Sequence, residues 1–278
     1  MTDCKSPIRG RIELRIGTHS AKIRAELPRE ATGLDSIIPI ARQMTEAVVS
    51  WAVADIESAG KRISCRAGCG ACCRQPVPTG PAEARRLAQL VNEMPEPRRS
   101  RVAQRFEQAV ARLQETGLLD SLQRLASLEG DAPPGHYSGW AVEYFHRGIP
   151  CPFLEEESCS IHSERPLVCR EYLVTSNPSE CATLSRDGIE RVPIKASVSK
   201  AYRKLEHRPG TNPVMPLVMA LEWAVAETPG APKRRPALEW VKNLQKLLAR
   251  PEVGADTDTD NAGNAATMSD RGSQSRLP

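Results

Sequence analysis

Apolar and polar residues alternate near the amino terminus, with Ile12, Leu14 and Ile16 before "GTHS" and Ile23, Ala25 and Leu27 after it. A period of two on both sides of a glycine-containing turn predicts a small β-hairpin within residues 1–34. From Asp35 the spacing becomes three and four, through Ile37, Ile40, Ala41, Met44, Val48, Trp51, Ala52, Ile56 and Ala59. That is the stripe of one long amphipathic helix, running to the edge of a cysteine-rich stretch.

Helical patterning continues beyond that stretch. Thr79 is placed to cap a helix with Pro81 in its first turn and Leu87, Leu90 and Val91 on its apolar face. "MPEPRR" interrupts the pattern, and helices are predicted over 97–116 and 118–129, divided by Gly117. Their Arg- and Glu-rich faces read as solvated surface, and "DAPPGHYSG" reads as a loop. Residues 150–185 carry little regular periodicity. A strand and then a helix are expected over 189–206, with further helices near 213–227 and 236–249, the last of them basic. The tail from 251 to 278 lacks hydrophobic periodicity and is expected to be disordered. The fold class is therefore mainly α with a small β component (α+β), in which helices clamp irregular cysteine-rich loops. Four units are expected: an amino-terminal hairpin extension (1–34), a cysteine-cluster metal-binding domain with a helical insertion (35–207), carboxy-terminal helices (208–250) and the tail.

Composition narrows the classes. Aromatics make up 4% of 278 residues, so the core must be aliphatic, and a formal charge of +4 is slight for this length. Neither a strong nucleic-acid partner nor a polybasic membrane anchor is indicated. "MTDCKSPIRG" has no apolar stretch of the secretory kind behind it. The longest apolar run, "VMPLVMALEWAVA", includes Glu222 and falls short of the roughly 20 residues of a spanning helix. A cytoplasmic protein without a membrane segment is expected, in a compartment that keeps thiols reduced.

Against that background nine cysteines need an explanation. Cys65, Cys69, Cys72 and Cys73 form one set, in "CRAGCGACC". Cys151, Cys159, Cys169 and Cys181 form a second, and Cys4 lies outside both as an incidental thiol. Gly68 and Gly70 let the first set bend around an ion, and the second brings four donors from farther apart. Arg66, Arg74, Arg165 and Arg170 stand near cysteines in sequence and favour the thiolate form. Ser163 is placed to cap a short helix starting at Glu164, with Cys169 early in it. Core packing fits poorly, because Gly and Arg occupy positions where a core segment has Leu or Val, and disulfides need an oxidising compartment. "CRAGCGAC" also has the C-x3-C-x2-C spacing of radical S-adenosylmethionine enzymes. Ala71 stands where those usually carry an aromatic, and repeated strand–helix units are not predicted.

Together, "CRAGCGACC", "CPFL" at 151–154 and "CSIHSERPLVCR" at 159–170 resemble the YkgJ-type cysteine-cluster family, described as a zinc- or iron-chelating domain. The resemblance spans roughly residues 60–185 and implies metal ligation by Cys65, Cys69, Cys72, Cys73, Cys151, Cys159 and Cys169, with Cys181 matching a later cysteine that the family often shows. His162 stands where the family usually has tyrosine and is expected to fill that half-buried slot. Some relatives are flagellin lysine methylases, but no cofactor pocket or glycine-rich phosphate loop is evident here. The expected function is a zinc- or iron–sulfur-binding interaction module. The alternative is an iron–sulfur-dependent redox or protein-modifying enzyme. Four thiolates suit either metal.

Overall fold

The protein is described by a computed structural model covering residues 6–127, 136–184, 187–206, 214–226 and 233–250. Cys4 and the 251–278 tail lie outside the described residues. The predicted hairpin is present as β1 (Ile8–Ile16) and β2 (His19–Leu27), paired antiparallel with Ile12 opposite Ile23. Gly17 at the turn has φ +55°, which a residue with a side chain adopts only with strain. The alternation buries Leu14, Ile16, Ile23, Ala25 and Leu27 on one face. A short strand, β3 (Ala31–Thr32), and a 3-10 turn lead into α1 (Ile38–Ser58). Its buried stripe is Ile38, Ile40, Ala41, Met44, Val48 and Ala52, close to the predicted one, but the helix stops at Ser58, short of the cysteines.

The remaining order is β4 (Pro78–Thr79), α2 (Pro81–Asn92), α3 (Arg98–Glu115), α4 (Leu118–Ser127), α5 (His136–His146), β5 (Leu154–Glu155), β6 (Ser158–Cys159), α6 (Leu167–Glu171), α7 (Pro178–Thr183), α8 (Val198–Glu206), β7 (Met215–Pro216), α9 (Ala220–Val225), β8 (Arg235–Pro236) and α10 (Ala237–Leu248). Among the described residues every sheet is two-stranded and antiparallel: β1–β2, β3–β8, β4–β7 and β5–β6. The chain is thus mainly α with a small β component.

Several local expectations are corrected. Thr79 does not cap α2; it is buried in β4, Gly80 takes the cap position, and a remote carboxylate, Glu206 Oε2, accepts the Ala82 N–H at 2.7 Å. The "DAPPGHYSG" stretch is no loop from His136 onward, because α5 begins there and buries Trp140 and Tyr144 against α4. Its Trp140 Nε1 donates to the Leu118 carbonyl at 3.0 Å. Among the described residues no strand forms over 189–197; only an isolated bridge, Val174 to Arg191, marks that segment. The helix expected over 213–227 is divided into β7, a 3-10 turn and the short α9.

Two large aliphatic cores carry most of the burial. One joins the hairpin, α1, α8 and α10 through Leu14, Ile23, Met44, Tyr202, Trp240 and Leu244. Polar ends of its large rings are satisfied: Tyr202 donates to the Leu34 carbonyl at 2.9 Å and Trp240 to the Thr32 carbonyl at 3.0 Å. The second joins α2, α3, α9 and the β5–β6 hairpin through Leu87, Val102, Phe106 and Phe153. Leu244 is fully buried in the first core. Leu244→Ala is expected to cost about 2–5 kcal/mol, the range for a buried Leu truncated in a packed interior. Urea titration checks this: the midpoint should fall with the slope unchanged.

Candidate metal centre

Beyond α1 the chain reverses at Gly60 (φ +76°) and runs extended to the first cysteine loop. Ser64 ties this segment to residues 174–175, its N–H donating to the Val174 carbonyl and its hydroxyl to the Thr175 carbonyl, both at 2.9 Å. Gly68, at φ +81°, turns the loop, and residues Ala71–Arg74 form one 3-10 turn. The expectation of a bent loop at Cys65, Cys69 and Cys72 holds, and residues 61–70 form no helix. Gly70 is a point of close approach: a Cβ there would stand 2.7 Å from Leu154 Cδ1 and 3.2 Å from the Glu157 backbone. The two cysteine blocks are therefore in direct contact despite their separation in sequence. The Cys151 N–H donates to the Cys73 carbonyl at 2.7 Å.

The second block is held by arginines from several elements. Arg74 grips Glu157 with contacts of 2.9 and 2.5 Å. Arg105 reaches the Pro152 carbonyl at 3.0 Å and Glu155 at 2.8 Å, and Arg98 reaches the Ser160 carbonyl at 2.8 Å. Arg42 donates to both the carboxylate (2.7 Å) and the carbonyl (2.8 Å) of Glu164, which Arg86 also contacts at 3.1 Å. The α3 arginines expected to be mere solvated surface thus include two that pin the cysteine hairpin. Their sequence gives no signal of this, since an arginine's target across the fold has no local pattern.

Cys169 sits within α6, which starts at Leu167 after Pro166 and not at Glu164 after Ser163. Pro166 rules out the earlier start, because the residue before a proline avoids helical geometry. Both ends of α6 are braced by buried carboxylates. Glu83 of α2 accepts the Leu167 N–H at 2.9 Å. Glu171 accepts from the Ser197 hydroxyl (2.8 Å), the Ser199 N–H (2.9 Å) and the Ser199 hydroxyl (2.6 Å). Arg203 lies close enough to attract both carboxylates. Glu83 Oε2 and Arg203 Nη1 are buried with no hydrogen-bond partner among the described residues. Cys181 is carried by α7, whose start is capped by Asn177 accepting the Ser179 N–H at 3.0 Å.

All eight cysteines of the two sets are free thiols; Cys181 is buried and the other seven are half-buried. Burial pushes the Cys65, Cys159, Cys169 and Cys181 thiols above their ordinary value, and pushes Cys151 up to about 12. The Cys72 thiol is raised first by its hydrogen bond with Cys73 and then by burial. Neighbouring sulfurs add to the effect in each of these six. Opposing it, backbone hydrogen bonds from Val174, Phe153 and Ile161 reach Cys65, Cys151 and Cys159. Arg165 favours the thiolate at Cys65, Cys72 and Cys159, and its own Nε is buried with no hydrogen-bond partner among the described residues. Arg170, bound to Glu46 at 2.8 Å and to the Ser163 carbonyl, also acts on Cys159, and Arg74, bound to Glu157, interacts with Cys73. His162 is exposed and not half-buried; the charge of Arg165 is the first cause lowering its pKa.

A cation supplies what this arrangement lacks. Crowded, desolvated thiols are held protonated by burial and mutual repulsion, and a bound metal converts both penalties into attraction. The donor chemistry therefore fits zinc or iron. The geometry is grouped and not closed: as the side chains lie, no three His, Cys, Asp or Glu residues among those described are placed to hold one ion.

Comparison with known proteins agrees with this chemistry. Residues 64–186 match the model of a family named CxxCxxCC and described as a "Putative zinc- or iron-chelating domain". The first gap here, Cys65 to Cys69, is one residue longer than that name spells out. No curated protein and no solved structure matches the chain. Residues 64–186, with their two touching cysteine blocks, thus match the model of the cysteine-cluster family that the sequence resembles.

Proposed function

We propose that the protein is a metal-organised binding module, with its cysteines holding zinc or an iron centre that staples the loops at 61–77 and 150–184 together. The observation that carries this reading is the meeting of the two blocks, with the Cys151 N–H on the Cys73 carbonyl at 2.7 Å and Leu154 against Gly70. Eight unpaired thiols from four segments then lie on neighbouring loops. Cys65, Cys69, Cys72, Cys73, Cys151, Cys159, Cys169 and Cys181 are the ligand candidates, and Arg165 compensates the charge of their thiolates. A bound metal supplies cross-linking between segments that little apolar packing joins. Zinc sites with four protein thiolates leave no open position for substrate, which supports a structural role. The free thiols fit a reducing, cytoplasmic setting, and no helix among the described residues is long and apolar enough to cross a membrane.

Metal analysis of anaerobically purified protein, with its visible spectrum, tests the proposal. Colourless protein with bound zinc is the expected result. A brown protein whose spectrum changes on reduction would shift the assignment to an iron–sulfur redox or protein-modifying enzyme. Protein that takes up neither metal would overturn both.

A further inference from the structure

Glutamine side chains close both edges of the amino-terminal hairpin at mid-strand. On β2, Gln43 of α1 accepts the Arg24 N–H at 3.2 Å and donates to the Arg24 carbonyl at 3.0 Å, as a neighbouring strand would. On β1, Gln245 of α10 donates to the Glu13 carbonyl at 2.7 Å. Strand addition is thereby obstructed at either edge, and the surface left to a partner is the outward face. Alternation puts Arg9, Arg11, Glu13 and Arg15 of β1 on that face, with Ser20, Lys22, Arg24 and Glu26 of β2, all of them exposed. Arg9 pairs with Glu26 at 3.3 Å and Arg15 with Glu13 at 3.0 Å, so both acids are occupied. Arg11 and Arg24 stand directly opposite each other in the register, a like-charge pair that destabilises a sheet, and Lys22 precedes Arg24 on the same face. None of these three cations has an ion-pair partner among the described residues.

We infer that this face is the docking surface for an acidic segment of the same chain, residues 252–260. That segment, "EVGADTDTD", carries Glu252, Asp256, Asp258 and Asp260 and no basic residue. Its last three acids recur every second residue. In an extended chain such acids are about 6.8 Å apart, which is also the spacing of alternate outward residues on a strand, such as Arg9 and Arg11. The attachment point suits the contact. Gln245 touches β1 at Glu13, and Arg250 follows five residues later. A helix rises 1.5 Å per residue, so the segment departs about 8 Å farther along. From Arg250, Asp256 reaches up to about 20 Å and Asp260 up to about 35 Å. A strand of the hairpin is about 30 Å long, so the acids span it. Exposed ion pairs are weak singly, but tethering holds these acids at an effective concentration on the order of millimolar. The slight charge of the whole chain conceals this pairing of a basic face with an acidic segment.

Zero-length carbodiimide crosslinking of the full chain provides the test, because the reagent joins the Lys22 amine to a carboxylate in contact with it. Unlabelled and nitrogen-15-labelled protein are mixed equally before reaction, and mass spectrometry identifies the linked peptides. Lys22 joined to Asp256, Asp258 or Asp260 within one isotopic form is the expected product at low salt. Its yield should fall about threefold or more in 1 M salt, where the screening length is about 3 Å. Arg11→Gln combined with Arg24→Gln should lower it by a similar factor. Arg101→Gln combined with Arg124→Gln removes the same charge from α3 and α4 and should leave the yield unchanged. Circular dichroism confirms that each variant is folded. No such product, or a yield indifferent to Arg11 and Arg24, would overturn the inference. Products found only between isotopic forms would also overturn it and assign the face to a second copy. Nucleic acid that copurifies and is removed by nuclease, with no Lys22 product, would assign the face to that polyanion instead. The metal reading is untouched by any of these outcomes.

Discussion

Stripping the metal with a chelator is expected to release the segments 61–77 and 172–184 while leaving the core of the hairpin, α1, α8 and α10 folded. Backbone amides in the released segments should lose about a thousandfold or more of their protection against hydrogen exchange, roughly 4 kcal/mol at 1.4 kcal/mol per tenfold. Structural zinc contributes folding free energy outright, with apparent binding free energies of about 10–16 kcal/mol in small zinc-finger peptides, so this is a conservative expectation. The contrast between regions follows from burial. The hairpin core contains Leu14, Ile37, Met44, Tyr202 and Leu244, all essentially inaccessible. Among the described residues, the apolar cluster beneath Cys65 and Cys69 has only Ala71, Val174 and Cys181 as buried members. Burial at about 25 cal/mol per Å2 cannot hold a loop on so little surface. Exchange measured peptide by peptide, with and without chelator, reads the difference. Uniform loss across the chain would mean that the metal supports global folding, and no loss in either segment would remove its structural role.

The sequence disclosed the hairpin and α1 because each buries a single face, and a one-sided element must write its period into the chain. It disclosed the cysteine sets because thiols crowded among Gly and Arg suit metal ligation better than core packing. What it concealed has physical causes. The start of α5 was hidden because "APPGHYSG" is rich in turn formers, and it is Trp140 and Tyr144 docking on α4 that make the segment helical. Thr79 has the chemistry of a cap, but tertiary pairing of β4 with β7 takes it into a strand, and Glu206 serves the helix start from across the fold. The packing of Cys181 could not be read either. It is nearest in sequence to Cys169, yet it packs with Cys65 and Cys69 because the 174–175 segment docks on Ser64. Glu83 gave no signal at all: it looks like an ordinary first-turn acid of α2, and only the fold turns it inward onto α6.

That inward turn underlies the other large effect. Arg203→Met is expected to destabilise the protein by about 3 kcal/mol at pH 7.5, the lower end of what removing one partner from a buried ionic cluster costs. Glu83 and Glu171 brace the two ends of α6 and share the cation of Arg203. Methionine keeps the bulk of the side chain but leaves two buried carboxylates facing each other, with Arg42 as the other cation acting on Glu83. The pH dependence has a definite sign. Burial raises both carboxyls above the ordinary glutamate range, so the folded state binds more protons than the unfolded chain. Their contribution is therefore most favourable below the unfolded value and is lost as pH rises through the folded one. Without Arg203 the folded values climb further, so the gap between variant and wild type should widen from about pH 5 to about pH 8. Comparing the two proteins at each pH cancels the effect of acid on the thiols, which both share. Because α6 carries Cys169, the variant should also lose metal faster than the wild type. A pH-independent difference between the two unfolding curves would show that Arg203 contributes by packing alone and that the carboxylates hold α6 without it.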